Sequence, residues 1–104
     1  MEITARAAER ACQHAGVANL RITRALQFLY SAMPDTRELA LRLVDSVEPQ
    51  DRAEEYAFGA IRCAVDLDVR GTRDRAIGAA ACSGLDAHRA ELEAQLADQM
   101  EVLR

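Results

Sequence analysis

The sequence predicts an all-α protein of about six short antiparallel helices, laid out as a helical-hairpin array or a compact bundle. Three observations carry that expectation. Alanine dominates an apolar fraction of 50%, and alanine both favours helix and lets helix axes approach closely. Only two prolines and five glycines interrupt the 104 residues. Apolar side chains recur at three- and four-residue spacing, and no stretch alternates in the period-two manner of a strand.

The first helix is expected to start after Thr4 as N-cap and to end at Gly16. Its apolar face is Ile3, Ala7, Ala8, Ala11, Cys12 and Ala15. The second runs from Asn19 to about Met33, with Ile22, Ala25, Leu26, Leu29 and Met33 on one stripe. Phe28 and Tyr30 widen that stripe, which predicts burial on more than one side, and Pro34 stops the helix. Asp35-Thr36-Arg37-Glu38 then reads as a capping box that opens the third helix, with Leu39, Ala40, Leu43, Val44 and Val47 inward.

Pro49 suits the first turn of a fourth helix, whose face is Ala53, Tyr56, Ala57, Ala60, Ile61, Ala64 and Val65. It fades at Asp68. Gly71-Thr72 marks the fifth start, with Ala76, Ile77, Ala80 and Ala81 inward, and Ser83-Gly84 ends it. Asp86 is the candidate cap of a sixth helix, with an apolar stripe of Leu92, Leu96, Met100 and Leu103 against Glu91, Glu93, Asp98 and Glu101. The length fits a single helical domain over residues 1–104.

Thr4, Thr36 and Thr72 each open a helix, and Ala8, Ala40 and Ala76 follow four residues later. Arg21, Arg52 and Arg89 fall at nearly matching offsets, which divides the chain into three hairpins of roughly thirty-odd residues. Between Glu38 and Ala76, the residues Ala40, Arg52-Ala53, Ala57, Ala60, Gly71 and Arg75-Ala76 resemble the tetratricopeptide-like helical hairpins common in bacterial proteins. The resemblance covers the middle third and lacks that family's aromatic and Gly in the first helix and its closing Pro. It implies stacked hairpins whose groove binds peptides or partner proteins.

Composition narrows the function classes. Every basic side chain is Arg, with no Lys, and the net charge is -4. That charge speaks against non-specific attraction of the whole molecule to nucleic acid or anionic lipid. No apolar run approaches the ~20 residues of a membrane span, and no secretory signal follows Met1-Glu2-Ile3-Thr4. Three widely spaced cysteines, Cys12, Cys63 and Cys82, read as free thiols of a cytoplasmic protein.

Chemistry-bearing patterns are sparse. Cys12 and His14 lie two residues apart on a helix and point to different faces, so they neither share a metal nor form a nucleophile–base pair. Cys82, beside Ser83-Gly84, is the best placed reactive thiol, and His88 has no partner at ligand spacing. Glu54-Glu55 reads as a solvated face rather than an acid–base pair. No phosphate-binding glycine loop, HExxH, CxxC or GxSxG occurs. Neither a catalytic residue, a metal ligand, a cofactor site nor a small-molecule substrate is therefore assigned.

The expected function is a small non-enzymatic protein–protein interaction module, an adaptor, assembly or neutralising component that binds a protein partner or itself. Its partner-binding candidates are Phe58, Glu54, Arg62, Arg70, Arg73 and Arg75. Phe58 stands off the apolar stripe of its helix, which leaves it either packed against a neighbour or presented to a partner; Val102 and Leu103 raise the same question at the C-terminal end. The run Arg70-Gly71-Thr72-Arg73-Asp74-Arg75 is the densest positive spot, with Asp66, Asp68 and Asp74 around it. The alternative is a nucleic-acid-associated subunit of a larger complex that adds Arg21 and Arg24 to that cluster.

Overall fold

The computed structural model describes residues 2–31, 33–84 and 95–96. Five helices fall among them: α1 (Glu2–Ala15), α2 (Leu20–Tyr30), α3 (Pro34–Asp45), α4 (Arg52–Val65) and α5 (Val69–Cys82). There is no strand among the described residues, so the fold is all-α. The expected sixth helix lies outside them except for Gln95 and Leu96, as do Asp86, His88, Arg89, Val102 and Leu103.

Local chemistry sets most of the boundaries. Gly16 takes a φ of 69° and closes α1, with Val17 N–H donating to the Cys12 carbonyl at 3.0 Å and Gly16 N–H to Gln13 at 3.1 Å. That pair of bonds is a Schellman closure, which glycine accommodates without a Cβ clash. Asn19 caps α2, its side-chain oxygen accepting from Arg21 N–H at 2.8 Å. Asp51 caps α4 through Glu54 N–H at 2.8 Å, while Glu54 Oε1 accepts from Gln50 N–H at 3.2 Å. The α4 C-terminus repeats the Schellman pattern, with Asp68 N–H to Cys63 and Leu67 N–H to Ala64, both at 3.0 Å. Here the left-handed residue is Leu67, at φ 58°, a conformation that costs a side-chain-bearing residue about 1 kcal/mol or more. Asp68 then caps α5, accepting from Gly71 N–H at 2.9 Å.

Four starts differ from the sequence expectation, the first being α4, which opens at Arg52 behind the Asp51 cap and leaves Pro49 outside its first turn. Thr4 is not an N-cap but sits inside α1 and is buried. Pro34 does not end α2, which stops at Tyr30; it opens α3, with Met33 as a cap that makes no side-chain bond. Proline fits there because its fixed φ is helical and its missing N–H would have had no partner. Asp35 therefore falls in the first turn, and the expected capping box does not form. Thr72 is likewise inside α5 and fully buried, its hydroxyl donating to the Asp68 carbonyl at 2.7 Å.

α4 is the central helix. It packs against α5, α1 and α3 and touches α2, while α1 also lies along α5 and α2 pairs with α3. The first helix thus closes onto the last described one, which makes the arrangement a bundle. Its Cα radius of gyration is 12.4 Å, close to the ~13 Å of a compact domain this size. Small residues line the α1–α4–α5 contacts: Ala5, Ala8 and Ala11, Ala57, Ala60 and Ala64, then Ala76, Ala79 and Ala80 are all buried. Larger side chains, Phe58, Ile22, Ile61 and Val44, fill the remaining core. The inward face of α5 carries Ala79 in place of the expected Ala81, which is exposed.

Candidate docking groove

The partner-binding residues nominated by sequence do not form one site. Phe58 is 0% exposed and is the largest fully buried side chain. Its packed alternative holds: α4 is covered on several sides, so a residue off the main stripe still faces a neighbouring helix. Phe58 is accordingly removed from the surface candidates. Glu54 is engaged at the start of α4, its N–H donating to Asp51 and its carboxylate accepting from Gln50 N–H. Arg62 pairs with Asp45, Nε to Oδ1 at 2.9 Å, and ties α4 to α3. Arg75 donates to the Gly71 carbonyl at 3.3 Å within its own helix, and its side-chain stem lies against Gly59 of α4. Arg70 is exposed and Arg73 half-buried on the same helix.

Arg21 and Arg24 do not extend that cluster, because α2 and α5 do not touch. The fold gathers them elsewhere, on the outer seam between α2 and α3. Two adjoining open depressions there are lined by Leu20, Arg21, Thr23, Arg24, Gln27 and Leu43, and by Arg21, Arg24, Phe28, Leu39, Arg42, Leu43 and Ser46. The two helices run antiparallel. Arg21 Nη1 donates to Ser46 Oγ at 3.5 Å at one end, and the Ser31 and Thr36 hydroxyls hydrogen-bond at the other.

Along this seam Leu20 is 87% exposed and Leu39 42%, while Phe28 and Leu43 are half-buried. The three arginines stand at the rim. Phe28 packs partly buried against the core as well as lining the groove, as its spacing predicts, whereas Tyr30 is exposed and does not widen the buried side of α2. Leu43 packs against the core as expected, but Leu39, also expected inward, is exposed because no described helix covers that side of α3, and sequence reasoning missed Leu20, Leu39 and Arg42 as a surface set. The available signal was α2 itself, whose segment LRITRALQFLY holds two arginines and no carboxylate.

A smaller polar depression on the α1–α2 side is lined by Arg6, Glu9, Arg10, Gln13 and Tyr30. Tyr30 donates its hydroxyl to Glu9 Oε2 at 2.5 Å. Burial, and then that bond to a carboxylate, push the Tyr30 hydroxyl well above the usual phenol range. Among the thiols, Cys12 is buried in α1 and Cys82 exposed at the end of α5. Burial, with Glu9 and Glu54 adding to it, pushes Cys12 up to about 12. Cys63 is raised by burial against the lowering influence of Arg75, with Asp68, Asp66 and Asp74 nearby. Both shifts hold the thiols in their unreactive protonated form. Among the described residues no group of three or more His, Cys, Asp or Glu side chains is placed to hold a metal ion, and no helix is long and apolar enough to cross a membrane.

Compared with known protein families, with curated proteins and with solved structures, the chain finds no match in any of the three.

Proposed function

We propose that this protein is a small non-enzymatic interaction module, an adaptor, assembly or neutralising component, that docks a protein partner in the groove between α2 and α3. One observation carries the reading: Leu20, Leu39, Leu43 and Phe28 form an open apolar seam rimmed by Arg21, Arg24 and Arg42. Apolar surface ringed by polar groups is the usual character of a contact site. Arginine and aromatic side chains are the residues enriched at such interfaces.

The test is a tagged pull-down of the full chain from its native host, run beside Leu39→Asp and Arg70→Glu/Arg73→Glu variants. A stoichiometric protein partner retained by the α5 variant and lost with Leu39→Asp is the expected result. Co-purifying nucleic acid that high salt removes, and that the α5 variant loses, would instead establish the nucleic-acid-associated alternative. With no Trp and two Tyr, the chain absorbs so weakly in the near ultraviolet that bound nucleic acid would dominate the spectrum.

A further inference from the structure

We infer that the α2–α3 groove takes an acidic amphipathic helix of a protein partner, an inference that rests on the docking reading above. The α2 side of the groove is purely cationic. α2 contributes Arg21 and Arg24 and no carboxylate. Among the described residues Arg21 reaches only a neutral hydroxyl, at the long distance of 3.5 Å. Arg24 has no ion pair among the described residues, and Arg42 pairs with Glu38 of its own helix at 3.5 Å with both side chains more than half exposed. An exposed i,i+4 pair of that kind is worth only a few tenths of a kcal/mol, so it leaves Arg42 able to turn to a better-desolvated carboxylate.

The position of Arg21 points the same way. It occupies the first turn of α2, whose cap is the uncharged Asn19 and whose first turn holds no acid. The N-terminal end of a helix dipole favours anions and disfavours a cation by about 0.3–1 kcal/mol. The field of the helix terminus and the guanidinium therefore add, and among the described residues no carboxylate pairs with Arg21 or Arg24. A partner carboxylate would meet both.

The shape of the seam selects the rest of the partner. Antiparallel α2 and α3 set Leu39 and Phe28 toward one end and Leu43 and Leu20 toward the other. At 1.5 Å per residue the seam is on the order of 12 Å long, two helical turns, which suits apolar side chains at i, i+3/i+4 and i+7 of a third helix lying in the groove. Carboxylates flanking that stripe would face the arginine rim. A nucleic-acid strand fits less well, because Phe28, the ring that lines the seam, is half-buried against the core and offers no run of aromatic faces for successive bases. An added strand has no sheet edge to join among the described residues.

The test uses the full chain as bait for a displayed library of sixteen-residue amphipathic helices. The leucine stripe of the library is constant, and the flanking positions vary among Glu, Gln and Lys. Selected clones are re-measured by fluorescence anisotropy against the parent chain, Arg21→Glu/Arg24→Glu and Leu39→Asp, with oligo-dT as the nucleic-acid control. The expected result is enrichment of Glu flanks and binding that weakens as salt rises. Binding should fall at least about tenfold with either variant, while Lys-flanked clones gain affinity for Arg21→Glu/Arg24→Glu. Enrichment of Gln or Lys flanks that still depend on Leu39 would overturn the acidic partner and leave the docking groove standing. Oligo-dT binding lost with the arginines would overturn both. Absence of any enrichment over the Leu39→Asp bait also overturns the inference, and the pull-down then decides the docking reading by itself. The far-ultraviolet helix signal of each variant shows that the fold is retained.

Discussion

Tyr56 of α4 lies directly over Gly78 of α5: a Cβ at position 78 would come within 2.6 Å of the ring Cδ1. The contact is answered one face away, where a Cβ on Gly59 of α4 would meet Cδ of Arg75 at 2.9 Å. Each helix thus gives a glycine to the other's long side chain, and this lets α4 and α5, whose buried residues are mostly alanines, approach closely.

The two glycines are predicted to respond differently to alanine. Gly78→Ala pushes against an aromatic ring close to its own backbone and should lower stability by about 1–2 kcal/mol in urea unfolding, the usual scale of overpacking. In a Tyr56→Ala background the same change should instead raise stability by about 0.5–1 kcal/mol, because helix propensity then acts alone. Gly59→Ala meets only the flexible stem of an exposed arginine. It should be neutral or mildly stabilising.

Arg21→Glu should make the protein more stable while weakening its groove. Position 21 is exposed in the first turn of α2, where that turn carries no acid. Reversing the charge there gains about 0.3–1 kcal/mol at low salt, read as a higher thermal midpoint that shrinks toward the parent value as salt is added. A midpoint below that of the parent at low salt would show that Arg21 contributes to stability through contacts of its own.

Phe58→Asp should abolish the helical circular dichroism signal. The side chain is completely enclosed, and truncating such an aromatic already costs about 3–5 kcal/mol; an uncompensated buried carboxylate adds to that. For a domain of 104 residues with marginal stability of about 5–15 kcal/mol, the loss is decisive. Retained helix content would mean that the ring is reachable from solvent.

Alkaline pH should weaken the fold from about pH 9. Cys12 rises from an ordinary value of 9.0 to about 12 in the folded chain. The folded state therefore keeps a proton that the unfolded chain loses. This stabilisation is full below the unfolded value and is lost as pH rises toward the folded one, by about 1.4 kcal/mol per pH unit for each such proton. Cys63 is raised in the same sense, and Tyr30 joins above its ordinary value of 10.0. Urea midpoints measured from pH 8 upward should fall progressively. The slope between pH 9 and 10 should flatten in Cys12→Ala/Cys63→Ala, and the further steepening above pH 10 should be missing in Tyr30→Phe.

The sequence by itself determined the helical class and several of the punctuation marks. Alanine content and three-four spacing make helices whatever the fold, and the stops at Gly16 and Ser83-Gly84 and the start of α2 beside Asn19 depend on a few neighbouring atoms. Thr4, Pro34 and Thr72 show where that legibility ends. Each carries a local signal for a helix boundary with two outcomes, and burial of the threonines in the core, or the start of α3 after Met33, selected between them.

Only the tertiary structure decided which faces meet. Phe58, off the stripe of its helix, is enclosed because α4 is central to the bundle, while Leu39, on the expected inward face of α3, and Leu20 are open because nothing packs on the outer side of α2 and α3 among the described residues. Likewise Arg21 and Arg24 are 46–54 positions away from Arg70 and Arg75 in the chain, and only the folded chain shows that they join Arg42 instead. The physical reason is one of range. Hydrogen bonds and propensities that shape a helix act within about four residues, whereas burial of a side chain depends on helices brought from distant parts of the chain.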